Sequence, residues 1–220
     1  MTDPGRSVIV LGATGLVGRE CLRLLLDDPG VAHVVAVVRR PLAGDLASPK
    51  LRSEVIDFDR LPEYGELFAV DQIFCALGTT IKQAGSQEAF RRVDLEYPLA
   101  AAQLGAERGV RHFLLVSAVG ASAKSRIFYN RIKGELEDAL RTLPFRSVTI
   151  VRPSLLVGER NEIRLGEQIG KRFGWLAPAK YKPVSATRVA EALVSAARED
   201  QAGMQIIESK EISRAASAAV

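Results

Sequence analysis

A glycine-rich turn near the amino terminus constrains the fold of this chain more than any other sequence feature. The aliphatic run Val8–Leu11 leads into Gly12, Gly15 and Gly18, and a helical pattern follows over about Leu16–Asp27. Such an unbroken run indicates a strand that is covered on both faces of a parallel sheet. Because a helix N-terminus presents unpaired N–H donors and a partial positive charge, the turn predicts a binding site for a nucleotide pyrophosphate.

The glycines have different expected roles in this turn. Gly12 makes the turn, Gly15 lets backbone N–H groups approach a ligand, and Gly18 lets the helix pack on the strand. Ala13 stands where the stricter dinucleotide pattern has its second glycine, and glycine turns also join strands to helices without any ligand. The residues assigned to the pyrophosphate turn are Gly12, Ala13, Thr14, Gly15, Leu16, Val17 and Gly18.

Two arginines at the end of the second predicted strand indicate which nicotinamide cofactor binds. Arg39 and Arg40 follow the strand Val34–Val38, about 20 residues beyond the last glycine, where an NAD site carries an acidic residue. A guanidinium pairs with a phosphate that a carboxylate would repel. The sequence therefore predicts NADP(H) as the cofactor, and a solvated basic loop is the alternative explanation.

The other strand ends supply the remaining candidate cofactor residues. Asp57 follows a short third strand, Glu54–Ile56, where its carboxylate could accept a hydrogen bond from an adenine amino group, with Phe58 beside the ring. An Asp that only opens a loop is the alternative for this position. Further cofactor contacts are assigned to Ala76, Leu77, Gly78, Thr79, Pro153 and Ser154.

The order of the predicted elements defines the expected fold class. Strands and helices alternate along the chain, which predicts an α/β fold with a doubly wound, mostly parallel sheet of about six to seven strands. Residues 1–220 fit one domain. Within it, residues 155–220 are expected to form a small cap on the substrate side, with a last helix at Ala186–Arg198 and a last strand at Met204–Glu208.

Composition argues against several functional classes. The chain has 47% hydrophobic and 25% charged residues, no apolar run of bilayer length and no apolar segment at its amino terminus. A cytoplasmic protein without a membrane segment is therefore expected. The net charge of +4 is scattered, which disfavours nucleic-acid binding. Two unpatterned cysteines and two isolated histidines predict buried thiols and no metal site.

A second set of residues points to redox chemistry. Tyr129 and Lys133 are spaced i, i+4 on one face of a predicted helix, and Ser117 ends a buried strand twelve residues before the tyrosine. A nearby ammonium favours the phenolate form, so Tyr129 could exchange a proton with a substrate carbonyl or alcohol. Lys133 would also hold the nicotinamide ribose, and Ser117 would orient the substrate oxygen. A packed tyrosine beside a solvated lysine is the alternative.

Several motifs together resemble a known family. They are Cys75–Thr80, Phe90–Asp94, Val116–Ala121, Tyr129–Glu137 and Arg152–Gly158. With the glycine turn, they resemble the Tat-interacting-protein group in the atypical, single-domain branch of the short-chain dehydrogenase/reductase superfamily. The resemblance covers almost the entire chain and implies a Rossmann fold, NADP(H) and a Ser-Tyr-Lys catalytic site. It also indicates that two long helices could pair across a homodimer.

Asp94 departs from the pattern of that superfamily. Many members carry a catalytic Asn on the helix before the serine strand, and Asp94 occupies the corresponding place. An ionised Asp cannot donate a hydrogen bond as an Asn amide does. Two functions therefore remain open: an NADP(H)-dependent oxidoreductase for a small carbonyl or alcohol substrate, and an NADP(H)-binding regulatory protein with little or no turnover.

Overall fold

The computed structural model describes residues 5–42, 48–157 and 183–215. Its main feature is a seven-stranded sheet in which every neighbouring pair is parallel. The strands of this sheet are β1 (Arg6–Leu11), β2 (Val31–Val38), β3 (Leu51–Val55), β4 (Gln72–Cys75), β5 (His112–Val116), β6 (Ser147–Arg152) and β9 (Gly203–Glu208). Two short strands, β7 (Leu156–Val157) and β8 (Val184–Ser185), form a separate parallel pair.

Helices connect these strands. They are α1 (Leu16–Asp27), α2 (Ile81–Ala84), α3 (Gln87–Arg91), α4 (Tyr97–Glu107), α5 (Phe128–Leu140), α6 (Ala186–Glu199) and α7 (Ser209–Ala215). A 3-10 segment spans Phe58–Phe68, and a π turn at Arg92–Glu96 joins α3 to α4. The predicted boundaries of α1 are confirmed, and the predicted last helix and last strand are present as α6 and β9.

Hydrophobic clusters cover both faces of the sheet, which confirms the doubly wound α/β fold. One cluster contains Leu22 of α1 and Leu193 of α6, and the other contains Ala101 of α4 and Leu136 of α5. The strand order is β3-β2-β1-β4-β5-β6-β9. The order therefore reverses direction between β1 and β4, and in open parallel sheets ligands bind at the carboxyl edge beside such a reversal.

The third strand lies earlier in the sequence than predicted. We expected Glu54–Ile56, whereas β3 pairs with β2 over Leu51–Val55. As a sheet-edge strand it exposes much of its surface, so the sequence there lacks the apolar run that marks the buried strands. Pairing with β2, not apolar content, decides its position.

The amphipathic pattern from about Ser86 to Arg108, in which Val93 falls at helical spacing, predicts a long helix that Pro98 could kink, and the structure interrupts this helix. The π turn Arg92–Glu96 lies in its middle and ends just before Pro98, which has no N–H to donate. The extra residue in this wide turn shifts the buried face by one position. As a result Asp94 is fully buried where regular helical spacing predicted Val93.

Part of the expected cap lies outside the described residues. Residues 158–182, which include a charged, glycine-rich stretch at 158–174, and the tail beyond 215 are not among the described residues. Among the described residues, no helix is long and apolar enough to cross a bilayer.

A buried histidine ties the amino ends of two strands to the end of α6. The His112 ring contacts Thr149 Oγ1 at 2.9 Å through Nε2 and Asp200 Oδ1 at 3.2 Å through Nδ1. Asp200 also accepts hydrogen bonds from Arg111 and Arg146. Burial lowers the pKa of His112 to about 4, and the two arginines add to this effect while Asp200 opposes it.

We predict that this histidine makes the fold sensitive to mild acid. Its pKa is depressed in the folded chain, so the unfolded chain binds more protons between pH 6.5 and 4, and stability falls as the pH falls through that window. The expected loss of unfolding free energy is roughly 3 kcal/mol. Urea unfolding at a series of pH values measures it. A His112→Gln variant should lack this slope, and equal slopes in both proteins would contradict the assignment.

Candidate functional site

The glycine turn has the geometry expected of a phosphate-binding loop. Gly12 adopts a φ of 80°, and a Cβ there would lie 2.5 Å from the carbonyl oxygen of Ala76. A Cβ on Gly18 would lie 2.1 Å from the carbonyl oxygen of Gly12. Glycine at both positions therefore brings β1, the loop and α1 into backbone contact.

The amino end of α1 is open to a ligand. Gly15 is its N-cap with no side-chain hydrogen bond, and its first turn carries no acidic residue. A helix of this kind leaves its first N–H groups and its partial positive charge available to an anion. Among the described residues, a Cβ at Gly15 would meet only the carbonyl oxygen of Gly12, at 3.2 Å, so no other described atom crowds this point of the loop. These features fit a dinucleotide pyrophosphate.

A cleft of roughly 540 Å³, part of it open to solvent, adjoins this loop at the carboxyl edge of the sheet. Many of the predicted cofactor residues line it, and four lining residues were not predicted. The predicted ones are Gly12, Thr14, Gly15, Arg39, Phe58, Ala76, Leu77 and Gly78, and the additional ones are Val37, Val38, Val93 and Tyr97.

The other predicted cofactor residues do not line this cleft. Ala13 and Val17 are buried, and their role in cofactor binding stays a prediction. The Asp57 carboxylate caps the 3-10 segment by accepting a hydrogen bond from the Asp59 amide at 3.0 Å, which matches the loop-opening alternative. Pro153 accepts a backbone hydrogen bond from Val119, and the Ser154 amide donates to Ser209 Oγ.

Tyr97 lines the cleft, although the sequence did not predict this role. Its ring lies 5.5 Å from the Phe58 ring, and its hydroxyl donates to Asp59 Oδ1 at 2.6 Å. Burial and this hydrogen bond raise the pKa of Tyr97 to about 12, so the phenol stays protonated. The only signal in the sequence was an aromatic residue at helical spacing, which usually indicates core packing.

Lys133 forms an ion pair that the sequence did not reveal. Its Nζ lies 2.7 Å from Asp94 Oδ1, and both side chains are almost completely buried. The other carboxylate oxygen of Asp94 accepts a hydrogen bond from the Thr79 amide at 2.8 Å. Burial is the largest single influence and lowers the pKa of Lys133, but the charges of Asp94 and Tyr129, the hydrogen bond to Asp94 and a smaller effect of Cys75 together raise that pKa above its usual value. The lysine therefore remains an ammonium ion.

Tyr129 lies one turn before Lys133 on α5, and the two side chains interact electrostatically. Its half-buried ring packs against Phe90, with centroids 5.5 Å apart. Phe90 belongs to α3 and is fully buried, so the Tyr129 ring packs against a fixed side chain of a second helix. The predicted Tyr-Lys pair is thus brought together on one face.

The Ser117 hydroxyl contacts Glu137, which lies one turn beyond Lys133 on α5. Ser117 is 4% exposed, and its hydroxyl donates to Glu137 Oε1 at 2.5 Å. Glu137 follows Tyr129 by two turns of α5, about 12 Å along the axis. Arg152 completes the cluster by donating to Glu137 Oε2 at 2.5 Å. In this arrangement Ser117 anchors α5 to the sheet, and its role at a substrate oxygen stays a prediction.

Comparison with known proteins identifies the family. A family model described as NAD(P)H-binding matches residues 12–200, and the chain belongs to this NAD(P)H-binding family. Among curated proteins, Protein HTATIP2 of Rattus norvegicus is 36% identical over 170 residues, which cover 76% of this chain and 70% of that protein. Protein FMP52, mitochondrial, of Candida albicans is 34% identical over 202 residues, or 87% and 88% of the two chains. The resemblance to the Tat-interacting-protein group is confirmed.

The expected cytoplasmic location is wrong. Several relatives, including those from Candida albicans and Emericella nidulans, are named as mitochondrial proteins. The expectation rested on the lack of an apolar leader, which argues only against secretion. Mitochondrial transit peptides are amphipathic and rich in Arg and Ser, so an apolar pattern does not report them.

Solved structures share the fold. MoeE5 in complex with UDP-glucose and NAD superimposes with a TM-score of 0.70 at 17% identity, covering 94% of this chain and 79% of that one. The Bordetella bronchiseptica enzyme WbmH in complex with NAD+ gives 0.72 at 16% identity, covering 93% and 75%. At these identities the likeness concerns the Rossmann fold alone.

We predict different consequences for two Gly→Ala substitutions in the loop. Gly18→Ala places a methyl group against the backbone of Gly12 and should lower the unfolding free energy by roughly 1–3 kcal/mol. Gly15→Ala is the matched control, because its methyl group meets one oxygen at 3.2 Å and should change stability much less. Urea unfolding compares the two. Equal losses would show that close packing of α1 on the loop is not what requires glycine at 18.

Proposed function

We propose that the chain is an NADP(H)-dependent oxidoreductase acting on a small carbonyl or alcohol substrate. The single observation that carries this proposal is the position of Tyr129 and Lys133, adjacent on α5, with the lysine ammonium beneath Gly78 of the nucleotide cleft. Membership of an NAD(P)H-binding family supports the nucleotide.

Arg39 supports NADP(H) over NAD(H). It lines the cleft at the end of β2, and its side chain is exposed. Among the described residues, no carboxylate forms a salt bridge with Arg39 or Arg40. A guanidinium that is free of carboxylate partners is suited to a 2′-phosphate, which it can bind with two parallel hydrogen bonds.

The chemistry needs one proton and one hydride. When bound, the cofactor supplies or accepts the hydride at its nicotinamide ring. Tyr129 would donate its phenol proton to the substrate oxygen during reduction and recover it during oxidation. Lys133 remains protonated beside it and so stabilises the phenolate that this transfer leaves.

A second candidate function is an NADP(H)-binding regulatory protein with little turnover. Two observations favour it specifically. The Ser117 hydroxyl is committed to Glu137, and Asp94 presents a carboxylate where many relatives of the superfamily have an amide donor. Both would reduce the number of groups available to a substrate without affecting the nucleotide cleft.

We predict that Arg39→Asp weakens NADP(H) binding at least about tenfold and leaves NAD(H) binding within about twofold, because only the 2′-phosphate meets the arginine. Isothermal titration calorimetry with both nucleotides measures the effect. Arg40→Asp is the matched control, since it makes the same charge change one residue away and does not line the cleft. Equal losses for NADP(H) and NAD(H) would show that Arg39 does not contact this phosphate.

We predict that Tyr129→Phe separates the two candidate functions. The variant should bind NADPH as the parent chain does, because the Phe90 packing is kept, and should lose at least about a hundredfold in kcat, the contribution usual for a positioned acid. A screen of carbonyl compounds with the parent chain, followed by the variant on any active substrate, makes the comparison. Turnover that survives the substitution contradicts the role of Tyr129, and no turnover on any compound favours the regulatory protein.

A further inference from the structure

The ion pair between Asp94 and Lys133 lies directly beneath the nucleotide cleft. A Cβ on Gly78 would lie 3.4 Å from Asp94 Oδ1 and 3.7 Å from Lys133 Nζ. Gly78 itself lines the cleft and has no side chain to separate the pair from it. The charged atoms therefore lie close to the Gly78 backbone that lines the cleft.

Asp94 is held in place independently of the lysine. Its Oδ2 accepts the hydrogen bond from Thr79, which belongs to the same cleft-floor segment as Gly78. The π turn Arg92–Glu96 directs the carboxylate inward, while neighbouring Val93 faces the cleft. The carboxylate thus bridges the β4 loop and α5.

A buried lysine needs such a partner. Removing a charge from water costs several kcal/mol, and a lysine left alone at this depth would lose its proton. The groups that act on Lys133 are Asp94, Tyr129 and Cys75, and Asp94 has the largest favourable effect on its protonation. An ammonium group has three N–H donors, so the contact with Asp94 leaves donors that can point at a ligand.

We propose that Asp94 is a positioning residue that holds the Lys133 ammonium beneath Gly78, so that it donates hydrogen bonds to the ribose hydroxyls of the nicotinamide half of the cofactor. The proposal rests on the proposed NADP(H) binding. It assigns to Asp94 a role different from that of the catalytic Asn in related enzymes, because the carboxylate acts through the lysine and donates nothing. In this proposal Asp94 makes no contact with the adenine half.

The experiment compares two ligands that differ only in the nicotinamide half. NADPH and adenosine 2′,5′-bisphosphate are titrated by calorimetry into the parent chain and the Asp94→Asn variant, whose amide oxygen can still accept from Thr79. We expect NADPH to bind about tenfold more weakly to the variant, and the bisphosphate to bind within about twofold of the parent. The emission of bound NADPH, which reports the environment of the nicotinamide, should change with it.

Other outcomes overturn the proposal. If Asp94→Asn weakens both ligands equally, the residue supports the cleft as a whole and does not position Lys133. If neither affinity changes, the ion pair has no part in binding. A parent chain that binds neither ligand overturns the proposed function as well, and this result is distinct from the others because it appears before any substitution.

A double variant keeps the test valid if the single variant does not fold. Asp94→Asn/Lys133→Met removes the carboxylate and the ammonium together, so it buries no unpaired charge. Because the proposal places this pair at the nicotinamide half, the double variant should bind NADPH about tenfold more weakly than the parent chain and the bisphosphate within about twofold of it. NADPH affinity equal to that of the parent chain, or equal losses for the two ligands, would overturn the proposal.

Discussion

Close backbone contact between β1, its loop and α1 is the constraint on which the rest of this structure depends. Gly18 allows the first turn of α1 to touch the carbonyl of Gly12, and Gly12 in turn touches the end of β4. These contacts set the helix N-terminus at the reversal point of the sheet, where the carboxyl ends of β1 and β4 meet. A single methyl group at either glycine would separate these elements.

Paired charges fix the position of α5, the helix that carries Tyr129 and Lys133. Helix α5 carries Lys133 and Glu137 on buried positions one turn apart, and each is matched by an opposite charge from another element. Asp94 reaches Lys133 from the π turn, and Arg152 reaches Glu137 from the end of β6. Because a buried charge without its partner is costly, the two pairs restrict how α5 can sit on the sheet and hence where the Tyr129 phenol lies.

Residues with a strict local signature were predictable, and residues whose partners are distant in sequence were not. The glycine turn, Arg39 and the Tyr129-Lys133 spacing each depend on one element or one strand end. The Asp94 partnership depends on a π turn that shifts the helix register by one residue, and no local pattern announces such a turn. The contacts of Tyr97 with Asp59 and of Ser117 with Glu137 were missed because these partners are also distant in sequence.

The sequence by itself determined the alternation of strands and helices, the α/β class and the position of the nucleotide loop, because these follow from apolar periodicity and from glycine stereochemistry within short segments. Only the tertiary structure decided what the polar groups do. Whether Ser117 faces a substrate or Glu137, and whether Lys133 is solvated or paired with Asp94, is set by packing between elements far apart in the chain. Burial makes these pairings energetically decisive, and burial exists only once the elements have assembled.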